Sequence, residues 1–121
     1  MASWESLGEP TVSNSWQQFP SSFGDTFRIT TTIQNQDDWD KWKFRSAAYL
    51  RFIYGDGSAS TNYYIRVLSI PTVYVFAVPN DLRNPTFSLR TPEIIRASRY
   101  LPLTPNDMFA AWKFKLEKLI D

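Results

Sequence analysis

The residues best suited to binding in this sequence are arginines and tyrosines on two neighbouring apolar segments, 48–54 and 63–70. The loop between them is rich in Gly, Asp, Ser and Asn, and such residues predict the turn of an antiparallel hairpin. If Tyr54 pairs with Tyr63, one face of the hairpin is apolar. The other face then carries four larger polar side chains: Tyr49, Arg51, Tyr64 and Arg66.

The same pairing places Arg51 directly opposite Arg66, and opposed like charges destabilise a sheet unless a third group compensates. Two interpretations are open. A carboxylate from the N-terminal third could cover the arginines, or their aliphatic stems could splay over the tyrosines. Alternatively, the face contacts an anion, a nucleic acid, a sugar or a partner protein, since arginine and aromatic residues are enriched at protein interfaces.

Charge is distributed unevenly along the chain. Residues 1–40 contain six acidic residues and one arginine, whereas residues 41–121 contain twelve basic and six acidic residues. The net charge of the whole chain is only +1, which argues against a general nucleic-acid binder. The acidic third either neutralises a basic face within the molecule or leaves that face open to an anionic partner.

Trp39 and Trp42 lie in a polar, charged segment where burial is not obvious, whereas Trp16 and Trp112 lie in apolar patterns and are expected in the core. An exposed tryptophan in a loop of a β-sandwich offers a flat apolar ring that can stack on a sugar. A carbohydrate-binding module that uses Trp39 and Trp42 is therefore the alternative function. The same two side chains could equally cover one end of the sandwich.

The residue inventory argues against conventional catalysis. The chain has no His and no Cys, which excludes imidazole and thiolate catalysis, His/Cys zinc sites, haem ligation through either residue, and disulfides. The acidic run at 37–40 lacks the glycine that a calcium loop needs at its turn, and Lys41 follows it at once. The sequence marks no carboxylate pair, so a small carboxylate-based hydrolase is only a second alternative. We predict no enzyme activity, no metal and no cofactor.

Several short segments of the sequence predict strands. Residues 27–33 alternate apolar and polar side chains with the period of two that a half-buried strand requires. Residues 72–78 are apolar on both faces, which predicts a central strand, and residues 86–90 form a further short strand. Residues 1–15 are expected to be irregular or to form an edge segment. Residues 93–101 fit either a strand or a helix, and their β-branched content favours the strand.

The C-terminal segment shows the signals of an amphipathic helix over residues 105–120. Thr104 is a suitable N-cap, and Pro105 suits the first helical position. Large apolar residues then recur every four positions, as on one face of a helix: Met108, Trp112, Leu116 and Ile120. Together the elements predict a single domain over residues 1–121, an all-β and mainly antiparallel sandwich or barrel of six or seven strands with one C-terminal α-helix.

No secretory signal and no apolar run of membrane-spanning length is visible in the sequence, so a soluble cytoplasmic protein is the default expectation. We predict a non-enzymatic binding or assembly module that acts through protein–protein contacts and associates with itself. Either the stripe on the predicted helix or the Arg/Tyr face of the hairpin would supply the contact. Nucleic acid is not an expected partner.

Overall fold

The computed structural model of the chain describes residues 2–13, 15–22, 24–42, 47–91 and 111–121, together with the side chains of all of these except 41 and 42. Within these ranges the chain forms eight β-strands and one short helix. The elements are β1 (Ser3–Ser6), β2 (Gln17–Phe19), β3 (Thr26–Ile33), α1 (Gln36–Trp42), β4 (Ala47–Ile53), β5 (Tyr63–Arg66), β6 (Thr72–Ala77), β7 (Thr86–Arg90) and β8 (Trp112–Ile120).

The strands form two four-stranded antiparallel sheets. The first sheet has the order β1-β8-β3-β6 and the second has the order β2-β7-β4-β5. The chain crosses from one sheet to the other after every strand except β4, which continues into β5 of the same sheet. This connectivity is that of a jelly roll, a sandwich built from eight strands in two Greek keys. The all-β, two-sheet arrangement agrees with the sequence prediction.

Alternation along the strands builds the core between the sheets. In β3, Phe27, Ile29 and Thr31 are almost completely buried, while the residues between them are partly exposed. Phe27 meets Phe87 of the second sheet at a centroid separation of 4.7 Å, and Phe76 meets the same ring at 5.0 Å. Each such ring contributes roughly 1.5–3 kcal/mol by leaving water, so this aromatic contact fastens the two sheets together.

The predicted C-terminal helix is wrong, because residues 112–120 form strand β8 between β1 and β3 of the first sheet. A spacing of four residues is even, so it fits one face of a strand as well as one face of a helix. Phe114 decides between them, since it lies two residues after Trp112 and is also buried. Lys113 and Lys115 take the alternate positions on the outer face. The first six residues of the predicted helix, 105–110, lie outside the described residues.

The predicted position of the segment 72–78 is also wrong. Its strand, β6, is the last of the described strands in the first sheet rather than a central one, and Val73 and Val75 are 57% and 54% exposed. An apolar run predicts a strand but does not determine how many of its faces are covered. The ambiguous segment 93–101 lies outside the described residues. None of the described helices is long and apolar enough to cross a membrane.

Candidate functional site

The β4–β5 hairpin pairs in a different register from the predicted one. Leu50 lies opposite Tyr63, and Arg66 lies opposite Ala47, so the pairing of Arg51 with Arg66 is wrong. The turn is tighter than the eight-residue loop that the sequence suggested. Gly57, at φ 89°, donates its N–H to the carbonyl of Tyr54, and the chain beyond this turn already pairs back onto β4.

The register differs from the predicted one by four residues, and an even difference leaves every side chain on its predicted face. Tyr49 therefore still shares the outer face of the second sheet with Arg51 and Tyr64, and it lies directly opposite Tyr64. Arg66 is on the same face but further along the hairpin, exposed and opposite Ala47. Arg51 lies opposite Ser88 of β7 instead.

Strand pairing assembles one row of side chains across this outer face. Arg90 of β7 pairs with Tyr49 of β4, which pairs with Tyr64 of β5. On the other side of β7, the β2 register continues by one residue to bring Trp16 opposite Arg90. Arg51 lies in the neighbouring row, within reach of the same indole. We name these five residues the Arg/Trp surface: Trp16, Tyr49, Arg51, Tyr64 and Arg90.

Aromatic rings hold both guanidinium groups of the Arg/Trp surface in place. The guanidinium carbon of Arg51 lies 4.0 Å from the Trp16 ring centroid, and that of Arg90 lies 4.9 Å from it. Arg90 also lies 5.4 Å from the centroid of Tyr49, whose ring contacts Tyr64 at 5.6 Å. A cation over an aromatic face gains about 0.5–1 kcal/mol where it is exposed and more where it is desolvated. The aromatic rings of the protein itself therefore hold the two arginines in position.

The two arginines of this surface lack a compensating acid among the described residues. The Nε atoms of Arg51 and Arg90 are buried, and neither has a hydrogen-bond acceptor there. None of the ion pairs between described residues involves Arg51 or Arg90. A buried donor without an acceptor costs on the order of 1–3 kcal/mol. Two positive charges and two unused donors thus converge on one indole ring.

Two other arginines, Arg28 and Arg83, each contact both an aromatic ring and a carboxylate. Arg28 lies 4.5 Å from the Trp4 ring centroid and donates to both carboxylate oxygens of Glu117, at 2.7 and 3.0 Å. These hydrogen bonds lower the pKa of the Glu117 carboxyl below its ordinary value of 4.5. Arg83 lies 3.8 Å from the centroid of Tyr54 and makes an equivalent two-point contact with Asp81, which lowers the pKa of Asp81 to about 2.

The predicted loop tryptophans do not join the Arg/Trp surface. Trp39 lies on α1, packs against the core, and donates its indole N–H to the carbonyl of Val67 at 3.4 Å. The side chain of Trp42 lies outside the described residues. Asp37 and Asp38 of the acidic run lie in the first turn of α1, where the Asn35 side chain accepts the backbone N–H of Asp38. No group of three potential metal ligands occurs among the described residues.

Sequence reasoning missed Arg90 and misplaced Trp16, which is half-buried on the outer face rather than in the core. Alternation in β7 offered a partial signal, since Phe87 and Leu89 are buried and Arg90 must then point outward. Trp16 carries no comparable signal, because its neighbours form a strand of only three residues. Its position depends on the pairing of β2 with β7, which the sequence does not reveal.

No protein-family model matches the chain, and no curated protein shows significant sequence similarity to it. The basis for a function is therefore the geometry and charge of the Arg/Trp surface.

Proposed function

We propose that this chain is a non-enzymatic binding module that contacts an acidic segment of a partner protein through the Arg/Trp surface. The observation that carries the proposal is the pair Arg51 and Arg90, fixed on Trp16 without an acidic partner among the described residues. A carboxylate supplies the negative charge that this arrangement lacks, since it accepts charge-assisted hydrogen bonds from guanidinium groups.

A protein partner fits the surface better than a small molecule does. As far as the described residues go, the surface lies on the outer face of a sheet, whereas small-molecule sites are concave. Arginine, tryptophan and tyrosine are also the residues that dominate the binding energy of protein interfaces. Tyr64 is 49% exposed at the end of the row, so its ring is available to an apolar neighbour of the bound carboxylate.

The surface is prearranged, which lowers the entropic cost of binding. Long arginine side chains normally lose about 2 kcal/mol of rotamer freedom when they are fixed. Stacking on Trp16 and Tyr49 has already fixed Arg51 and Arg90 in the free protein. A partner's carboxylate would therefore gain charge-assisted hydrogen bonds of roughly 1.5–3 kcal/mol each with little further ordering.

The fold itself is compatible with this proposal and does not select it. Jelly rolls serve both as subunits of assemblies and as lectin domains, so the architecture alone does not determine function. The carbohydrate alternative stays a prediction. The described residues add nothing in its favour, because Trp39 packs against the core and its N–H is already bonded.

Binding of a glutamate-rich peptide tests the proposal, with a lysine-rich peptide of equal length as the control ligand. Arg51→Met and Arg90→Met keep the apolar stem and remove the charge. Each should weaken binding of the acidic peptide about tenfold or more, since one lost charge-assisted bond costs about 1.5–3 kcal/mol. Arg66→Met removes the same charge from an exposed position on the same face, and it should weaken binding by less than about threefold.

Two results would contradict the proposal. Equal losses in all three variants would mean that the peptide responds only to the overall charge of the face. Absence of binding to the acidic peptide at low ionic strength would mean that the two guanidinium groups do not form an acceptor site. Circular dichroism of each variant separates loss of binding from loss of folding.

A further inference from the structure

Strand β6 is an edge strand without the charges that usually protect an edge. It is bonded to β3 on one side, and no other described strand pairs with its second side. Its sequence, Thr-Val-Tyr-Val-Phe-Ala, contains no charged residue. The edge strands β1 and β5 carry Glu5 and Arg66, and β2 is only three residues long. Uncharged, apolar edges are templates for pairing with another chain.

The hydrogen bonds around β6 show which of its residues have donors and acceptors on the open side. Val78, just after β6, donates its N–H to the carbonyl of Asp25, in the register that continues the pairing of β3 with β6. Backbone groups along an antiparallel strand point alternately to its two sides. The backbone N–H and C=O groups of Phe76, Tyr74 and Thr72 therefore point towards β3. Those of the alternate residues point to the open side: Val73, Val75 and Ala77.

We infer that β6 is the interface through which two copies of this chain associate, in antiparallel fashion, about a two-fold axis at Val75. In this register Val75 faces the partner's Val75, and Val73 faces the partner's Ala77. Each of these pairs exchanges two backbone hydrogen bonds, so every open donor and acceptor of β6 is used. The first sheets of the two copies become one continuous eight-stranded sheet. This interface is separate from the Arg/Trp surface and does not depend on it.

Pro71 selects this register among the two-fold alternatives. A register centred one residue earlier, on Tyr74, would place Ala77 opposite the partner's Pro71, which has no N–H to donate. Centring on Val75 keeps Pro71 of both copies outside the paired segment. The register is also self-complementary, as an isologous interface requires.

Charge favours a second copy as the occupant of this edge. Two-fold pairing through β5 or β1 would add two like charges to the interface, one Arg66 or one Glu5 from each copy. At β6 the nearest charged neighbour of Val75 on the outer face is Arg28, its pairing partner in β3. Glu117 already neutralises Arg28 through two hydrogen bonds. The interface between the two copies is therefore uncharged, and the exposed valines contact each other across it.

Replacing Val75, which lies on the two-fold axis, with residues of either charge tests the inference. Val75→Lys places two like charges directly opposite each other in the dimer, and Val75→Glu does the same with the opposite sign. Sedimentation velocity should show a concentration-dependent dimer for the wild-type chain and about tenfold or greater weakening for each variant alone. An equimolar mixture of the two variants should restore the dimer, because Lys then faces Glu. Ser3→Lys, at the opposite edge of the same sheet, is the control and should dimerise like the wild type.

The inference would be overturned by a chain that stays monomeric at every concentration, by a dimer that Val75→Lys leaves intact, or by a mixture that does not recover. Amide hydrogen exchange gives a second readout. The N–H groups of Val73, Val75 and Ala77 should exchange more slowly as the protein concentration rises. Protection that is the same at all concentrations would mean that the chain itself covers this edge, and would also overturn the inference.

Discussion

Replacing Arg51 and Arg90 with methionine, singly and together, tests whether the two guanidinium groups repel each other in the free protein. Methionine keeps an unbranched apolar side chain against Trp16 while it removes the charge. If no acid compensates the pair, the first replacement relieves a repulsion that the second can no longer relieve. The two changes should therefore be coupled unfavourably in a double-mutant cycle.

The expected coupling follows from the geometry. The two guanidinium carbons lie 4.0 and 4.9 Å from the same ring centroid. Charges about 9 Å apart, the largest separation that these distances allow, repel by roughly 2 kcal/mol at an effective dielectric constant of about 20. Salt at about 0.1 M has a Debye length of about 10 Å and should remove half of this or more. We therefore expect a coupling of about 2 kcal/mol or more at low ionic strength and clearly less in salt.

The cycle is more informative than either single replacement. Each single variant also loses a cation–π contact of about 0.5–1 kcal/mol, so its net change in stability understates the repulsion. Urea unfolding, followed by tryptophan fluorescence at low and moderate salt, gives the four free energies of unfolding. Arg66→Met is the control and should change stability by no more than about 0.5 kcal/mol. A coupling near zero, or a favourable one, would refute the reasoning by showing that the pair is already neutralised.

Two further predictions concern the first sheet. Phe114→Ala should cost about 3–5 kcal/mol of unfolding free energy, because the side chain is 3% exposed. Lys115→Ala should cost less than about 0.5 kcal/mol. Similar costs for the two variants in urea unfolding would contradict the strand assignment of β8. The pKa of Glu117 is lowered mainly by its hydrogen bond to Arg28, so the stability from this pair is present above pH 4.5, the ordinary pKa, and is lost as the pH falls through the lower folded value. Arg28→Met should flatten the acid limb of a plot of stability against pH, and an unchanged limb would show that the pair does not contribute.

The sequence predicts the sandwich well because burial on one face leaves a period of two. The segment 27–33 shows this pattern clearly and corresponds to β3 (Thr26–Ile33). The same rule, applied to residues 112–117, would have predicted β8, since Trp112, Phe114 and Leu116 are buried and alternate with charged residues. The helix prediction relied on the spacing of four alone. That spacing is common to both periodicities, so it carries no information on its own.

Register and strand order could not be predicted from the sequence, for a different reason. The Gly-Asp-Gly turn could close at several positions, and each choice keeps a plausible apolar face. The actual turn closes at Tyr54 and Gly57, which moved Arg66 away from Arg51 while leaving both on the predicted face. The contact of Arg51 with Trp16 joins residues far apart in the sequence, so only the strand order reveals it.

One interpretation of the sequence placed a carboxylate from the N-terminal third over Arg51 and Arg66. The N-terminal third does cover Arg51, but with the indole of Trp16 rather than with a carboxylate. An indole holds a guanidinium in place without neutralising it. Arg28 and Arg83 receive both an aromatic ring and a carboxylate. This contrast is the basis of the binding role proposed for Arg51 and Arg90.

The most direct test of that role is the NMR signal of the arginine Nε–H groups during titration with a glutamate-rich peptide. The Nε–H signals of Arg51 and Arg90 should shift, because the peptide's carboxylates bind the same guanidinium groups, whose Nε atoms are buried and have no acceptor among the described residues. The Nε–H of Arg28, already bonded to Glu117 at 2.7 Å, should not move and serves as the internal control. Unchanged signals from Arg51 and Arg90 at saturating peptide would contradict the proposed function.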